Sequence, residues 1–291
     1  MVLRGARRFL LVAVAAMALA GAGASWWVGS ELVRPAQHRV ALPPDFPARV
    51  LTIQGSGRTI AAWWVDRGER TPAVLLLHAI RADRLSMVAR ARLLARHGFS
   101  VLLIDLQAHG ETLGSAITLG WRESADARSA LEWLRHERSS SRVGVIGCSL
   151  GGAAVLLGGQ PSGFDAAVFE AVYPRAARAI ENRIRIRLGP LAPVLTPFLL
   201  VQLRPRLGIA ASDLEPIRSI GRFGGPVLIA AGSEDRHTTL DESRELFEAA
   251  AQPKELWVVP GAMHQDLLSF DPIGYEARVV GFLARYLRPV A

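Results

Sequence analysis

The sequence predicts an α/β domain: a mostly parallel sheet with helices on both faces and a small helical cap inserted late in the chain. Three observations carry that prediction. Apolar runs such as "AVLLLH", "SVLLID", "VGVIG" and "AAVFEAV" alternate with segments of helical spacing. The runs lack the in-and-out rhythm of a strand with one wet face, so both faces must be covered. The alternation then breaks after residue 175 and resumes near 224 with "PVLIAAG". An insertion at that place reads as a cap, because long insertions in such domains commonly lie over the site.

Taken from the start, Arg4, Arg7 and Arg8 precede the uncharged stretch Phe9–Gly29. That stretch matches the roughly 20 residues a helix needs to cross a bilayer. Trp26 and Trp27 stand near its far end, where amphipathic rings favour the interface. The basic flank belongs in the cytoplasm, which sends the rest of the chain outward. Ala20-Gly21-Ala22 and Ala22-Gly23-Ala24 also fit signal-peptide cleavage sites. Residues 1–34 are therefore expected to anchor a single-pass cell-membrane protein, or to be removed from a secreted or periplasmic one. Residues 35–47 hold four prolines and read as an extended linker. Residues 48–291 form the expected domain, with the cap at about 175–224.

Within that domain, "RVLTIQG" and "TIAAWWV" flank Ser56-Gly57-Arg58 and predict a hairpin. Helical spacing follows over 85–97, 123–137 and 150–159, each between apolar runs. After the cap, helices are expected at 239–250 and 274–287, with "ELWVV" as a strand between them.

Composition narrows the function classes. The net charge of +8 invites a nucleic-acid reading, but Lys254 is the only lysine among 34 basic residues. The arginines are scattered, with no basic run carrying interleaved aromatics, so no nucleic-acid partner is expected. Cys148 is the single cysteine and excludes an internal disulfide. There is no H-E-x-x-H, C-x-x-C or phosphate-cradling glycine loop, and no metal or organic cofactor is implied.

Ligand sites of parallel sheets lie beyond the carboxyl ends of the strands. That rule gathers His78, Asp105, Ser149, Asp235 and His264. Ser149 sits in Gly147-Cys148-Ser149-Leu150-Gly151, a G-x-S-x-G at an expected strand-to-helix turn. A nucleophile displayed on so sharp a turn needs neighbours without side chains, and the following helix turns its N-terminus toward developing negative charge. A serine hydroxyl also needs a base, and the base an orienting carboxylate. "AAGSEDRHT" and "VPGAMHQDL" follow successive late strands. They supply Asp235 as acid and His264 as base, in the chain order serine, acid, histidine. Glu234 and His237 are their nearest alternatives.

These segments resemble those of the α/β-hydrolase superfamily, in particular its membrane-anchored, monoacylglycerol-lipase-like and serine-aminopeptidase-like serine hydrolases. "VLLLHAIRADR" resembles the oxyanion-loop strand, "LLIDLQAHGET" the D-x-x-x-H-G-x-S segment and "GCSLGG" the nucleophile elbow. "GSEDRHT" and "GAMHQDL" resemble the acid and base loops. The resemblance runs from about residue 48 to 287. It implies a Ser149–His264–Asp235 triad and an oxyanion hole using the N–H of Leu150 and one from the 79–80 loop. The family's His-Gly reads His78-Ala79 here, which leaves Ile80, the favoured donor, and Ala79 as alternatives. Asp105 and His109 are expected to stabilise turns, and Cys148 to pack beside the elbow.

The expected function is acyl transfer to water: a serine hydrolase of carboxylic esters, with a lipid or acyl ester as substrate. Peptidase or thioesterase chemistry on the same triad is the alternative, since fold does not fix substrate. A tethered, non-catalytic binding protein is the reading from another class. Oligomeric state is not legible in the sequence.

Overall fold

The computed structural model describes residues 2–55, 57–138 and 141–288. Ser56 of the expected hairpin, the side chains of Arg4, Arg7 and Arg8, and residues 289–291 lie outside the described set.

The chain opens with one helix, α1 (Val2–Val33). It runs past the expected span because nothing breaks it before Pro35, whose ring disfavours helical backbone at Arg34. Phe9–Val33 is long and apolar enough to cross a membrane, and its most apolar window is wholly unburied. The stretch Ala176–Leu207 passes the same test but is broken into several helices and is 22% buried.

The proline-rich segment is extended, as its composition requires, yet it is docked rather than free. Its strand β1 (Ala36–Gln37) pairs in parallel with a two-residue strand at His109–Gly110. Val40 and Phe46 are buried, and the Phe46 ring packs edge-on against Trp63. Two apolar anchors thus fasten a stretch whose prolines alone suggested a spacer.

The hairpin β2 (Arg49–Gly55) and β3 (Arg58–Val65) follows, then β4 (Ala73–Leu77), α2 (Val88–Arg96), β5 (Ser100–Ile104) and β6 (His109–Gly110). Next come α3 (Glu123–Glu137), β7 (Val143–Cys148), α4 (Leu150–Leu157) and β8 (Ala166–Glu170). The cap comprises α5 (Ala176–Leu188), α6 (Ala192–Leu200), α7 (Leu203–Leu207) and α8 (Ile217–Ile220). The chain closes with β9 (Val227–Gly232), α9 (Leu240–Ala249), β10 (Lys254–Val259) and a helical tail. The closing helix expected at 274–287 is present and unbroken: after the short α10 (Leu267–Phe270), α11 (Pro272–Tyr275) runs through a π-helical turn at Glu276–Val280 into α12 (Gly281–Leu287).

Eight strands form the main sheet in the order β10-β9-β8-β7-β4-β5-β3-β2. Strands β2 and β3 pair antiparallel with each other, β3 joins β5 antiparallel, and the other pairings of this sheet are parallel. Strands β4, β5, β8 and β9 are buried along their full length, as expected where helices cover both faces. Their side chains divide between two apolar cores. One lies under α3, α4, α9 and the cap, the other under α2 and the C-terminal helices. This arrangement brings the carboxyl ends of β4, β7, β8, β9 and β10 to one rim of the sheet.

Candidate active site

The serine turn is built by close packing. Between β7 and α4, Ser149 adopts φ 47° and ψ −105°, a backbone state that costs a residue with a side chain about 1–3 kcal/mol. Two backbone bonds hold it there. The Ser149 N–H donates to the Glu170 carbonyl at 2.8 Å, and the Ser149 carbonyl accepts from the Ala153 N–H at 3.0 Å. The glycines answer to contact. A Cβ on Gly147 would lie 2.5 Å from the Gly152 backbone, and one on Gly151 would lie 2.5 Å from the Leu77 carbonyl oxygen. Because Leu150 opens α4, its N–H has no intrahelical acceptor.

Beyond β9, Asp235 is buried and accepts from the N–H groups of His237 (2.7 Å) and Thr238 (2.9 Å) through Oδ1. Its Oδ2 lies 2.7 Å from Nδ1 of His264, which follows β10. Glu234 is exposed to solvent and takes no part in this pair. The His237 ring lies 4.9 Å from that of His264, centroid to centroid. Burial, then the neighbouring His264, lowers the His237 pKa. Ser149 and His264 border one cavity of about 250 Å³. No direct hydrogen bond joins the Ser149 hydroxyl to the His264 ring in this structure.

Asp235, His237 and His264 place three potential ligand atoms within 4.8 Å of one another.

The remaining residues of the expected set have structural partners. His78 is buried: Nδ1 lies 2.8 Å from the Ala79 carbonyl oxygen, and Nε2 accepts from the Leu106 N–H at 3.0 Å. Burial, reinforced by His109, lowers its pKa to about 3, so the ring is neutral and braces the 79–80 loop. Asp105 pairs with buried Arg84 and accepts the N–H groups of Arg84 and Glu111, each at 2.8 Å. The His109 Nδ1 lies 2.9 Å from the Gln107 carbonyl oxygen. Cys148 turns its thiol toward Glu170 at 3.5 Å, and burial together with that carboxylate pushes its pKa well up.

One buried network escaped the sequence reading. Arg90 on α2 pairs with Glu170 at the end of β8 (2.6 Å) and with Asp266 in the loop after His264. The Tyr275 hydroxyl donates to Glu170 at 2.5 Å. This network ties the serine's strand neighbour to the histidine loop. The available signal was an arginine among the apolar residues of α2, with buried Val88, Ala91 and Leu94 around it.

A second, larger cavity of about 510 Å³ also reaches Ser149. Ile80 and Leu150 border it, whereas Ala79 borders the smaller one. Its walls are mainly apolar and include residues of α1, another feature the sequence did not reveal.

This fold and site define a class. A family model for alpha/beta hydrolases matches residues 74–278, and the chain belongs to that family. Among its relatives is the uncharacterized protein Rv2307c of Mycobacterium tuberculosis, 29% identical over 88% of each chain. The uncharacterized protein MT2364 of the same species is 31% identical over 72% of this chain and 69% of its own. Human protein ABHD12B is 27% identical over 60% of this chain and 47% of its own. Among solved structures, the Pyrococcus furiosus esterase Pf2001 superposes with a TM-score of 0.72 at 22% identity. That match covers 88% of this chain and 99% of the esterase. The lidless Xanthomonas campestris serine hydrolase XC6422 gives 0.59 at 16% identity, over 87% of this chain and all of its own. At these identities the structural matches speak for the fold alone.

Proposed function

We propose that this protein is a membrane-tethered serine hydrolase of carboxylic esters that carry an apolar acyl chain. The observation that carries the reading is the position of Ser149 between two cavities of unlike character. The larger is mainly apolar and suits an acyl chain, whereas the smaller, beside His264, contains Arg90, Glu170 and Asp266 and suits a small polar alcohol.

In the proposed mechanism the Ser149 oxygen attacks the ester carbonyl while Nε2 of His264 takes its proton. Asp235 holds the other ring nitrogen and stabilises the imidazolium that forms. The N–H groups of Leu150 and Ile80 receive the negative charge of the tetrahedral intermediate. Collapse expels the alcohol with the proton from His264. Water then attacks the acyl-enzyme, giving its proton to His264, and Ser149 is restored as the acid departs. The missing serine–histidine hydrogen bond is compatible with this, because such bonds are often long in empty sites and tighten around substrate. Arg4, Arg7 and Arg8 in the first turns of α1, and the uncharged Phe9–Gly29 that follows them, support a single-pass anchor with the catalytic domain on the extracytoplasmic side.

The test is a fluorophosphonate probe applied to purified full-length protein. The expected result is an adduct on Ser149 that disappears in Ser149→Ala, together with loss of short-ester hydrolysis by about four to six orders of magnitude. Ester hydrolysis by Ser149→Ala within tenfold of wild type overturns the proposal.

A further inference from the structure

The last turns of α1 enter the cavity that holds Ser149. Val28, Gly29, Leu32 and Val33 border it together with Ile180 and Ile184 of the cap. Their spacing puts the four α1 residues on one face of the helix. That end of the helix is held against the rest of the molecule by side-chain contacts. The Gln202 side-chain nitrogen donates to the Ser25 carbonyl (3.1 Å) and hydroxyl (2.8 Å). Arg206 donates to the Ser30 hydroxyl at 2.9 Å and stacks over the Trp26 ring, 3.8 Å from its centroid. On the opposite side, the Ile117 N–H donates to the Val33 carbonyl at 2.8 Å, and Arg81 reaches the Glu31 carbonyl. Gly29 allows the close approach, since a Cβ there would collide with the Gln202 side chain.

From this geometry we infer that the inner end of the membrane anchor is the specificity-determining wall of the acyl chamber, with Val28 and Leu32 limiting acyl-chain length. The inference rests on the hydrolase reading above. The same helix that is apolar enough to cross a bilayer ends against the cavity at Ser149, so an amphiphilic ester travels a continuous apolar path along it. The cavity volume falls in the ~300–1,000 Å³ range of small-ligand sites. A working enzyme therefore retains α1, and removal of residues 1–34 opens one side of the chamber.

The experiment uses full-length protein in detergent micelles and a series of p-nitrophenyl esters from acetate to hexadecanoate. Leu32→Trp fills the chamber and Leu32→Ala enlarges it. Each buried methylene is worth about fourfold in affinity. Leu32→Trp should therefore lower the dodecanoate-to-butyrate ratio of kcat/KM by on the order of tenfold, and Leu32→Ala should move the optimum to longer chains. Leu19→Trp, on an exposed part of the helix outside the chamber, should keep the wild-type profile. Opposite shifts from the two Leu32 variants are not a product of misfolding. If both Leu32 variants keep the wild-type profile while the fluorophosphonate still labels Ser149, the inference is overturned and the hydrolase reading stands. If wild type itself is neither labelled nor active, both fall together.

Discussion

Nδ1 of His264 lies 2.7 Å from Oδ2 of Asp235, although 29 residues separate them. Parallel pairing of β9 with β10 brings the two loops side by side. Two backbone N–H groups fix the other oxygen of Asp235, so the carboxylate cannot rotate away. Adjacent Glu234 is exposed and makes none of these contacts. Asp235→Asn is expected to lower kcat by about four orders of magnitude, by misplacing the imidazole tautomer. Glu234→Gln should change it less than tenfold. Steady-state kinetics on a butyryl ester checks the ranking, and the reverse order would move the acid to Glu234.

The elbow gives a prediction about stability. An alanine at Gly147 would press its Cβ into the Gly152 backbone, and backbone cannot yield as a side-chain tip can. Overpacking of this kind costs about 1–3 kcal/mol. Gly147→Ala should lower the urea midpoint accordingly and reduce turnover, since Ser149 is held by the same turn. Gly281→Ala is the contrast: nothing lies within 4 Å of its would-be Cβ, its φ is helical, and a gain of about 0.4–1 kcal/mol is expected. Equal midpoints for the two variants would remove the packing argument.

A third prediction concerns acid. The folded protein keeps His78 neutral down to about pH 3, against 6.5 for an unperturbed ring. Below pH 6.5 the unfolded chain takes up a proton there and the folded chain does not. Stability contributed by this site is thus full above 6.5 and lost as pH falls toward 3, by on the order of 5 kcal/mol. Buried Asp126 opposes it, because burial raises its carboxyl to about 7 and acidification then favours the fold. The comparison that isolates His78 is the slope of urea stability against pH in wild type and in His78→Gln. The variant should start less stable at pH 7.5 and lose less on acidification. Parallel slopes would clear His78.

Much of this was legible in the chain because the signals were local. The run Val143–Gly147, the spacing of Gly147, Ser149 and Gly151, and the helical spacing over 123–137 each depend on neighbours a few residues away. The parallel sheet with both faces covered followed from the uninterrupted apolar runs, but the order of its strands did not. What escaped was held by distant contacts. Arg90 meets Glu170 and Asp266 across 80 and 176 residues, and Ser25 meets Gln202 across 177. The prolines of 35–47 suggested a spacer, since nothing local marks Val40 and Phe46 as anchors. The cap arginines divide in a way periodicity did not show: Arg206 is committed to α1 and Arg183 lines the cavity.

That division sharpens the last prediction, on where substrate is met. Leu191, Val194, Phe198 and Val201 of the cap are each more than half exposed, as are Trp26 and Trp27 or nearly so. Helix α1 packs on α6, where the Ser25 hydroxyl donates to the Phe198 carbonyl. Exposed apolar groups beside interfacial tryptophans fit a surface that rests in the headgroup region. Arg204 is exposed and forms no ion pair among the described residues, so it is free to meet anionic lipid. Burying part of a phenylalanine, or bringing one arginine to an anionic surface, is worth about 1 kcal/mol. Phe198→Asp should therefore lower activity on medium-chain monoacyl esters in vesicles by roughly fivefold relative to the same esters in detergent solution. Arg204→Gln should lower it by a similar factor in anionic vesicles only, and the difference should vanish at 1 M salt, where screening shortens to about 3 Å. If the vesicle-to-solution ratio is unchanged in both variants, the cap faces water and the lipid-facing prediction fails.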